Sequence, residues 1–196
     1  KYVHLSDLYA VGFTAPLFAC LLGRLFLKEK LSIYHIMGLI GGFLGAMIVI
    51  RPGLRSMHPA LLLAFFCALN WGGAMVVTKY LSSNQSHIKL TGFLSFSFIP
   101  ICLLPSLSNW VVLDMHQWIL FIVLIGLTLI SHLALLSAFK YADLVTLMPI
   151  DFTSLVFSTF LGFIVFQEMV DWVTIVGGIV IFGSALFSSV RSLNQN

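Results

Sequence analysis

Seven apolar runs of about twenty residues, set apart by short turns that hold most of the charge, constrain this chain more than any other feature. A helix needs about 20 mostly apolar residues to cross about 30 Å of hydrocarbon. The runs cover roughly 5–27, 33–50, 59–81, 88–107, 118–139, 144–166 and 172–190. Strands facing lipid would leave backbone N–H and C=O groups unpaired, so the runs are helices. A transmembrane barrel would instead alternate polarity over segments of about ten residues, and no such pattern is present. The expected class is therefore all-α, a polytopic membrane helix bundle. Composition agrees. With 10 basic and 7 acidic side chains among 196 residues, and 60% hydrophobic residues, the chain cannot wet the surface of a soluble fold. A soluble enzyme, a nucleic-acid binder and a disordered chain are excluded. The net charge of +3 is too small to imply an anionic partner.

Cys20, Cys67 and Cys102 each lie inside an apolar run, too far apart for a metal spacing or a disulfide framework. They read as small buried packing residues. No metal and no cofactor is expected. The chain opens with Lys1 rather than Met, directly before an apolar stretch, and reads as a fragment without its own start.

The chain repeats itself at an offset of 139. Lys1-Tyr2 returns as Lys140-Tyr141 and Phe13-Thr14 as Phe152-Thr153. Phe18, Leu22-Gly23 and Glu29 return as Phe157, Leu161-Gly162 and Glu168; Gly38, Ile40, Phe43 and Ala46 return as Gly177, Ile179, Phe182 and Ala185. An ungapped pairing of residues 1–50 with 140–189 gives 15 identities. Three further helices precede the second copy, whereas the first begins at Lys1. Equivalent halves would make a parent of ten helices, two five-helix repeats, of which seven are present here. Five is odd, so the second repeat enters the membrane from the opposite side, an inverted-topology arrangement typical of secondary transporters.

Charge tests that inversion. Basic residues favour the cytoplasmic side. Arg24, Lys28 and Lys30 of the first copy correspond to Phe163, Gln167 and Met169, beside the acids Glu168 and Asp171. One side collects Arg24, Lys28, Lys30, Lys79, Lys89, Lys140 and Arg191; the other holds Lys1, Arg51 and Arg55. The expectation is a multi-pass protein of the plasma membrane, or the inner membrane of a bacterium, with a cytoplasmic carboxyl end.

The sequence resembles the EamA-type transporters of the drug/metabolite transporter superfamily. The resemblance rests on Phe13-Thr14-Ala15-Pro16-Leu17-Phe18, Gly23, Leu27-Lys28-Glu29 and the glycines from Gly38 to Gly45. The second copy supplies Phe152-Thr153, Gly162, Phe166-Gln167-Glu168 and Gly177-Gly178. Asn70-Trp71-Gly72-Gly73 with Lys79-Tyr80 looks like the opening helix of such a repeat, and Ala138-Phe139-Lys140-Tyr141-Ala142 like its turn between third and fourth helices. The resemblance implies a central cavity lined by the first, third and fourth helices of each repeat. It divides the chain into the last two helices of one repeat (1–53), a linker (54–57), a complete second repeat (58–190) and a cytoplasmic tail (191–196). Leu155 stands where the first copy has Pro16, and the second copy's proline is Pro149. The bend of the sixth helix is therefore expected about two turns earlier. The resemblance implies that helices one to three of the first repeat are expected to be missing from the chain.

Polar groups inside membrane helices are costly and commonly functional. Asp151 and His132 each lie about nine residues from the centre of the turn joining their helices, about 14 Å at 1.5 Å per residue. Antiparallel helices put them at one depth, where they could pair and exchange a proton; a structural hydrogen bond between the helices would use the same pair. Asn70 and Trp71 could orient a solute, or pack helices. Lys79, at a helix end, reads as snorkelling. Glu29 and Glu168 sit before helix starts, with Ser32 and Asp171 as matched N-caps, and read as structural acids at positive dipole ends. Ala15, Ala19 and Gly23 match Ser154, Ser158 and Gly162 as a stripe of small residues, and Gly38/Gly42 and Gly41/Gly45 make two G-x-x-x-G spacings, both suited to close packing. Ser154 and Ser158 could also face a wet cavity.

The leading function is secondary transport of a small polar metabolite by alternating access, with the bilayer and the solute as partners and no role for nucleic acid. The alternative is an incomplete transporter without activity alone, its wall completed by a homodimer or by the missing amino-terminal helices. An intramembrane enzyme lacks its motifs here: no G-x-S-x-G, no H-E-x-x-H, no second intramembrane Asp. A seven-helix light receptor lacks a Schiff-base lysine in 172–190, and the repeat has no place in one.

Overall fold

The computed structural model describes residues 5–51, 60–107, 112–167 and 170–193. Nine α-helices lie among these residues: α1 Leu5–Gly12, α2 Ala15–Leu22, α3 Ile33–Ile50, α4 Ala60–Asn84, α5 His87–Leu107, α6 Met115–Tyr141, α7 Leu144–Asp151, α8 Thr153–Phe166 and α9 Trp172–Leu193. A π-helical turn, Gly23–Leu27, extends α2. Two of the seven membrane-length segments are thus broken: α1 leads into α2, and α7 into α8. The seven spans are Leu8–Leu27, Ile33–Ile50, Leu62–Ser83, His87–Leu107, Met115–Tyr141, Leu144–Val165 and Trp172–Arg191.

The chain falls into two compact units. In the second, Thr78–Tyr141, α5 packs on α6. Its apolar side chains point outward over long stretches, with Phe93, Phe96, Ile101, Leu120, Ile122 and Leu124 all exposed. Such a surface is stable only with hydrocarbon as the solvent. Several hydroxyls along these helices bond within their own helix, Ser97 to Phe93 O, Thr128 to Leu124 O and Ser137 to Leu133 O, which lowers the cost of placing them in lipid. The Lys79 ammonium donates to the Phe139 carbonyl near the end of α6, where the helix dipole is negative.

The first unit, Lys1–Val77 with Ala142–Asn196, is built on α3 and α9. A Cβ added at Gly38 would meet Ser188, one at Gly41 would meet Ser184, one at Gly45 would meet Ile181 and Gly177 O, and one at Gly177 would meet Val49. Moving forward along α3 moves back along α9, so the two helices are antiparallel. The 139 offset maps Gly38 onto Gly177 and Val49 onto Ser188, so Gly38–Ser188 and Gly177–Val49 are one contact made twice. Gly42 faces the Phe152 ring instead. Lipid provides no hydrophobic drive, and close approach through small residues is what holds this seam.

Other features recur at the same offset. Phe13 and Phe152, matched positions, stack on each other with centroids 5.9 Å apart. Thr14 Oγ1 donates to Val11 O at 2.6 Å, and Thr153 Oγ1 to Ile150 O at 2.7 Å. Lys28 and Gln167, also matched, end their segments in the left-handed conformation, with φ of 57° and 54°. The breaks at Phe13-Thr14 and Phe152 therefore coincide in the repeat. The bend expected about two turns earlier in the sixth helix does not occur: Pro149 is accommodated inside α7, and the break comes at Phe152. A threonine hydroxyl bond and the shared ring stack accompany both breaks, with Pro149 before one and Pro16 in the first turn after the other.

Cys20 is buried, its Sγ 3.8 Å from Val145 O. Cys67 and Cys102 are exposed rather than buried. In a bilayer an apolar run need not face inward, so a small side chain there need not be a packing residue.

Candidate functional site

The ends of the first unit are tied by polar contacts. At one end, Glu29 reaches the amino terminus of α7: Oε1 accepts from Leu144 N at 3.0 Å and Oε2 from Val145 N at 2.9 Å. The first amides of a helix have no partner within it, and a carboxylate suits both them and the dipole. Glu29 thus caps α7, 115 residues away, rather than the helix that follows it. That helix, α3, is capped by Ser32, whose Oγ accepts from Tyr34 N at 3.4 Å. His35 completes the box, its Nδ1 accepting from Ser32 N at 3.2 Å while Nε2 lies 3.3 Å from Thr146 Oγ1. His35 is buried and ties α3 to α7. Glu168 lies outside the described residues.

At the other end, Asp171 caps α9: Oδ1 accepts from Thr174 N at 3.0 Å and from Thr174 Oγ1 at 2.6 Å. Its Oδ2 pairs with the Arg51 guanidinium at 2.5 Å. The Thr174 hydroxyl, then the Arg51 hydrogen bond and the Thr174 amide, pull the Asp171 pKa down from 3.8 to about 2. The sign follows directly. A carboxylate with a depressed folded-state pKa stabilises the fold above its unfolded value and loses that contribution as pH falls towards the folded one. Thermal unfolding in detergent should show wild type above Asp171→Asn at pH 5–7, with the gap closing between about pH 4 and about pH 2. A gap that persists unchanged at pH 2 would mean the carboxylate charge is not its source.

Between these ends the two breaks open onto one cavity of about 420 Å³. Leu8, Gly12, Phe13 and Ala15 line it from α1 and α2, Asp151 and Ser154 from α7 and α8. Ala64, Cys67, Ala68 and Trp71 line it from α4. Gly72 sets that helix in place: a Cβ there would come 2.8 Å from Ala19 N and 3.0 Å from Ala15 O, so α4 lies directly on α2. Trp71 then presents an exposed ring to the opening. The Asp151 carboxylate is exposed to the cavity and has no hydrogen-bond partner among the described residues. Ser154 Oγ donates to Asp151 O at 2.6 Å, satisfying a carbonyl freed by the break.

Three residues singled out in the sequence, Asp151, Ser154 and Trp71, therefore share one cavity. Asn70 does not line it; its Nδ2 donates to Phe66 O at 2.9 Å within its own helix. Ser158 bonds Leu155 O at 2.9 Å, one turn beyond the lining. His132 lies in the other unit, its Nε2 buried without a hydrogen-bond partner among the described residues. A second cavity, about 510 Å³, lies between α8 and α9 and is lined almost wholly by apolar side chains such as Phe160, Phe163 and Ile179.

Broken helices flanking a cavity between membrane-length spans are a recurrent feature of membrane transporters. The model of the EamA-like transporter family matches residues 1–51 and 58–190, and the chain belongs to that family. It is 29% identical to a riboflavin transporter of Brucella anthropi, over 95% of this chain and 68% of that one. It is 25% identical to an S-adenosylmethionine uptake transporter of Rickettsia bellii, over 90% and 61%. It is 24% identical to a pseudopaline exporter of Pseudomonas aeruginosa, over 92% and 64%. A riboflavin transporter of Vibrio cholerae is 30% identical, and there the match covers 53% of the relative. The chain thus spans about half to two thirds of the length of these relatives. A crystal structure shares the fold at a TM-score of 0.86, over the whole chain and 71% of its own, at 18% identity. The family and these relatives are transporters of small molecules, and the chain is a multi-pass membrane protein.

Proposed function

We propose that the protein carries a small polar metabolite by alternating access, with the solute held in the cavity between the two helix breaks. The observation that carries this reading is the meeting of two repeat-related breaks, Phe13-Thr14 and Phe152, around the unpartnered carboxylate of Asp151. Unwound backbone and helix ends supply polar groups in mid-membrane without charged side chains. Trp71 supplies a ring to stack on, and Asp151 and Ser154 the polar contacts. The names of the relatives suggest solutes with a flat heterocyclic ring, and riboflavin and S-adenosylmethionine are the first to try. Uptake of radiolabelled forms by cells expressing the protein should exceed that of cells without it. Asp151→Asn should lower that uptake at least about tenfold, since a transition or binding step losing one charged contact loses about 1.4 kcal/mol or more. Insertion should stay intact. Undiminished uptake in Asp151→Asn would remove this carboxylate from the transport path.

The carboxyl end is proposed to be cytoplasmic, from the excess of basic residues on that side. In a variant with its native cysteines replaced by Ser, a membrane-impermeant thiol reagent should label Asp114→Cys in intact cells and leave Lys30→Cys untouched. The reverse pattern would invert the orientation.

A further inference from the structure

Taking the cavity as the binding site just described, we infer that it selects a cationic solute bearing a planar ring, oriented by Asp151, and that Gly12 is the equivalent, vacant carboxylate position in the first repeat. The cavity is two-fold in its backbone and one-sided in its chemistry. At the 139 offset Gly12 corresponds to Asp151 and Ala15 to Ser154, and all four line it. The second repeat therefore presents a carboxylate and a hydroxyl, while the first presents a bare backbone and a methyl.

No Lys, Arg or His is among the described residues that line the cavity. A carboxylate at membrane depth with no cation beside it is costly, and a positively charged guest removes that cost. Trp71, 60% exposed, offers the best ring type for stacking and for a cation over its face. About 420 Å³ accommodates a bicyclic ring with a short side chain. A Cβ added at Gly12 would meet nothing among the described residues within 4 Å, so the first repeat has room for a side chain where the second uses one. The charge can therefore be carried across the two-fold axis without rebuilding the wall.

Three indoles separate charge from shape: tryptamine is cationic at pH 7, tryptophol neutral and indole-3-acetate anionic. Equilibrium binding to the purified full chain in lipid nanodiscs should favour tryptamine over both others by about tenfold or more. Asp151→Asn should bring tryptamine down to the level of tryptophol. The double variant Gly12→Asp with Asp151→Gly should restore most of the preference. Equal binding of tryptamine and tryptophol by wild type, retention of the preference in Asp151→Asn, or binding of none of the three overturns the inference. A double variant that inserts but shows no preference overturns the equivalence of Gly12. If the double variant does not insert, Gly12→Asp alone takes its place, where a second carboxylate must tighten tryptamine, and unchanged affinity overturns the equivalence. The wild-type comparison needs no variant. Uptake of the labelled metabolites decides the transport reading separately, so loss of the inference leaves that reading to its own assay.

Discussion

Gly45→Leu is expected to prevent the protein from accumulating in a folded form that survives detergent extraction. A Cβ at Gly45 would sit 2.7 Å from Ile181 Cγ1, 2.9 Å from Gly177 O and 3.1 Å from Ile181 N. Two of these are backbone atoms, which cannot rotate away, so α3 and α9 must separate along the seam that holds the first unit. Even Gly45→Ala should cost about 1–3 kcal/mol, the range for overpacking a fixed interior. Gly183→Ala is the control: nothing lies within 4 Å of a Cβ there, and exchanging a helical Gly for Ala gains up to about 1 kcal/mol. Thermal midpoints in detergent should therefore fall for Gly45→Ala and hold or rise for Gly183→Ala. Equal midpoints for the two would sink the account of the seam.

The second large effect belongs to Glu29. Replacing it by Ala leaves the amides of Leu144 and Val145 without their acceptor. Hydrogen bonds to a charged group are worth about 1.5–3 kcal/mol each when buried, and the partial exposure of Glu29 reduces this, so a loss of about 2 kcal/mol is expected. Glu29→Gln keeps one acceptor oxygen and should lose about half as much. Hydrogen exchange at the Leu144 and Val145 amides should accelerate in step with the fall in midpoint. Because α7 runs from these amides to Asp151, the loss should also loosen the cavity wall. Unaltered exchange at both amides would show that the cap does not hold the helix start.

The sequence makes the helices and the repeat legible because both are written in local patterns. Length and apolarity mark the spans, whereas the breaks follow the matched Phe-Thr pairs rather than the prolines from which a bend was expected. Two kinds of feature escape such patterns. Contacts distant in sequence are one: local rules send Glu29 to the helix just after it, whereas its partners are across the first unit. Facing is the other. Asn70 and Trp71 are neighbours in sequence, but one residue turns a helix by about 100°, so one ring reaches the cavity and the adjacent amide cannot. Ser154 and Ser158 share a face but differ by a turn in depth, and only the first reaches the break. His35 was missed although Ser32 three residues earlier gave the spacing of a capping box; histidine simply stands where Glu or Gln is usual. The exposed Cys102 reflects a solvent that rewards apolar surface, whereas Cys67 is exposed where it lines the cavity, so apolarity at neither position reports burial.

The stack of Phe13 on Phe152 has a consequence for descent. Where two subunits meet about a two-fold axis, a residue on the axis touches its own copy. Here that self-contact is made within one polypeptide, as though two identical subunits had been joined end to end. In an unjoined ancestor one codon would have set both rings, and any change would have been felt twice. Joining releases the two positions from each other. The ring pair has kept its symmetry, while a few atoms away Gly12 and Asp151 have parted company, leaving one of them free to acquire a charge that an obligatory twin would have duplicated beside it.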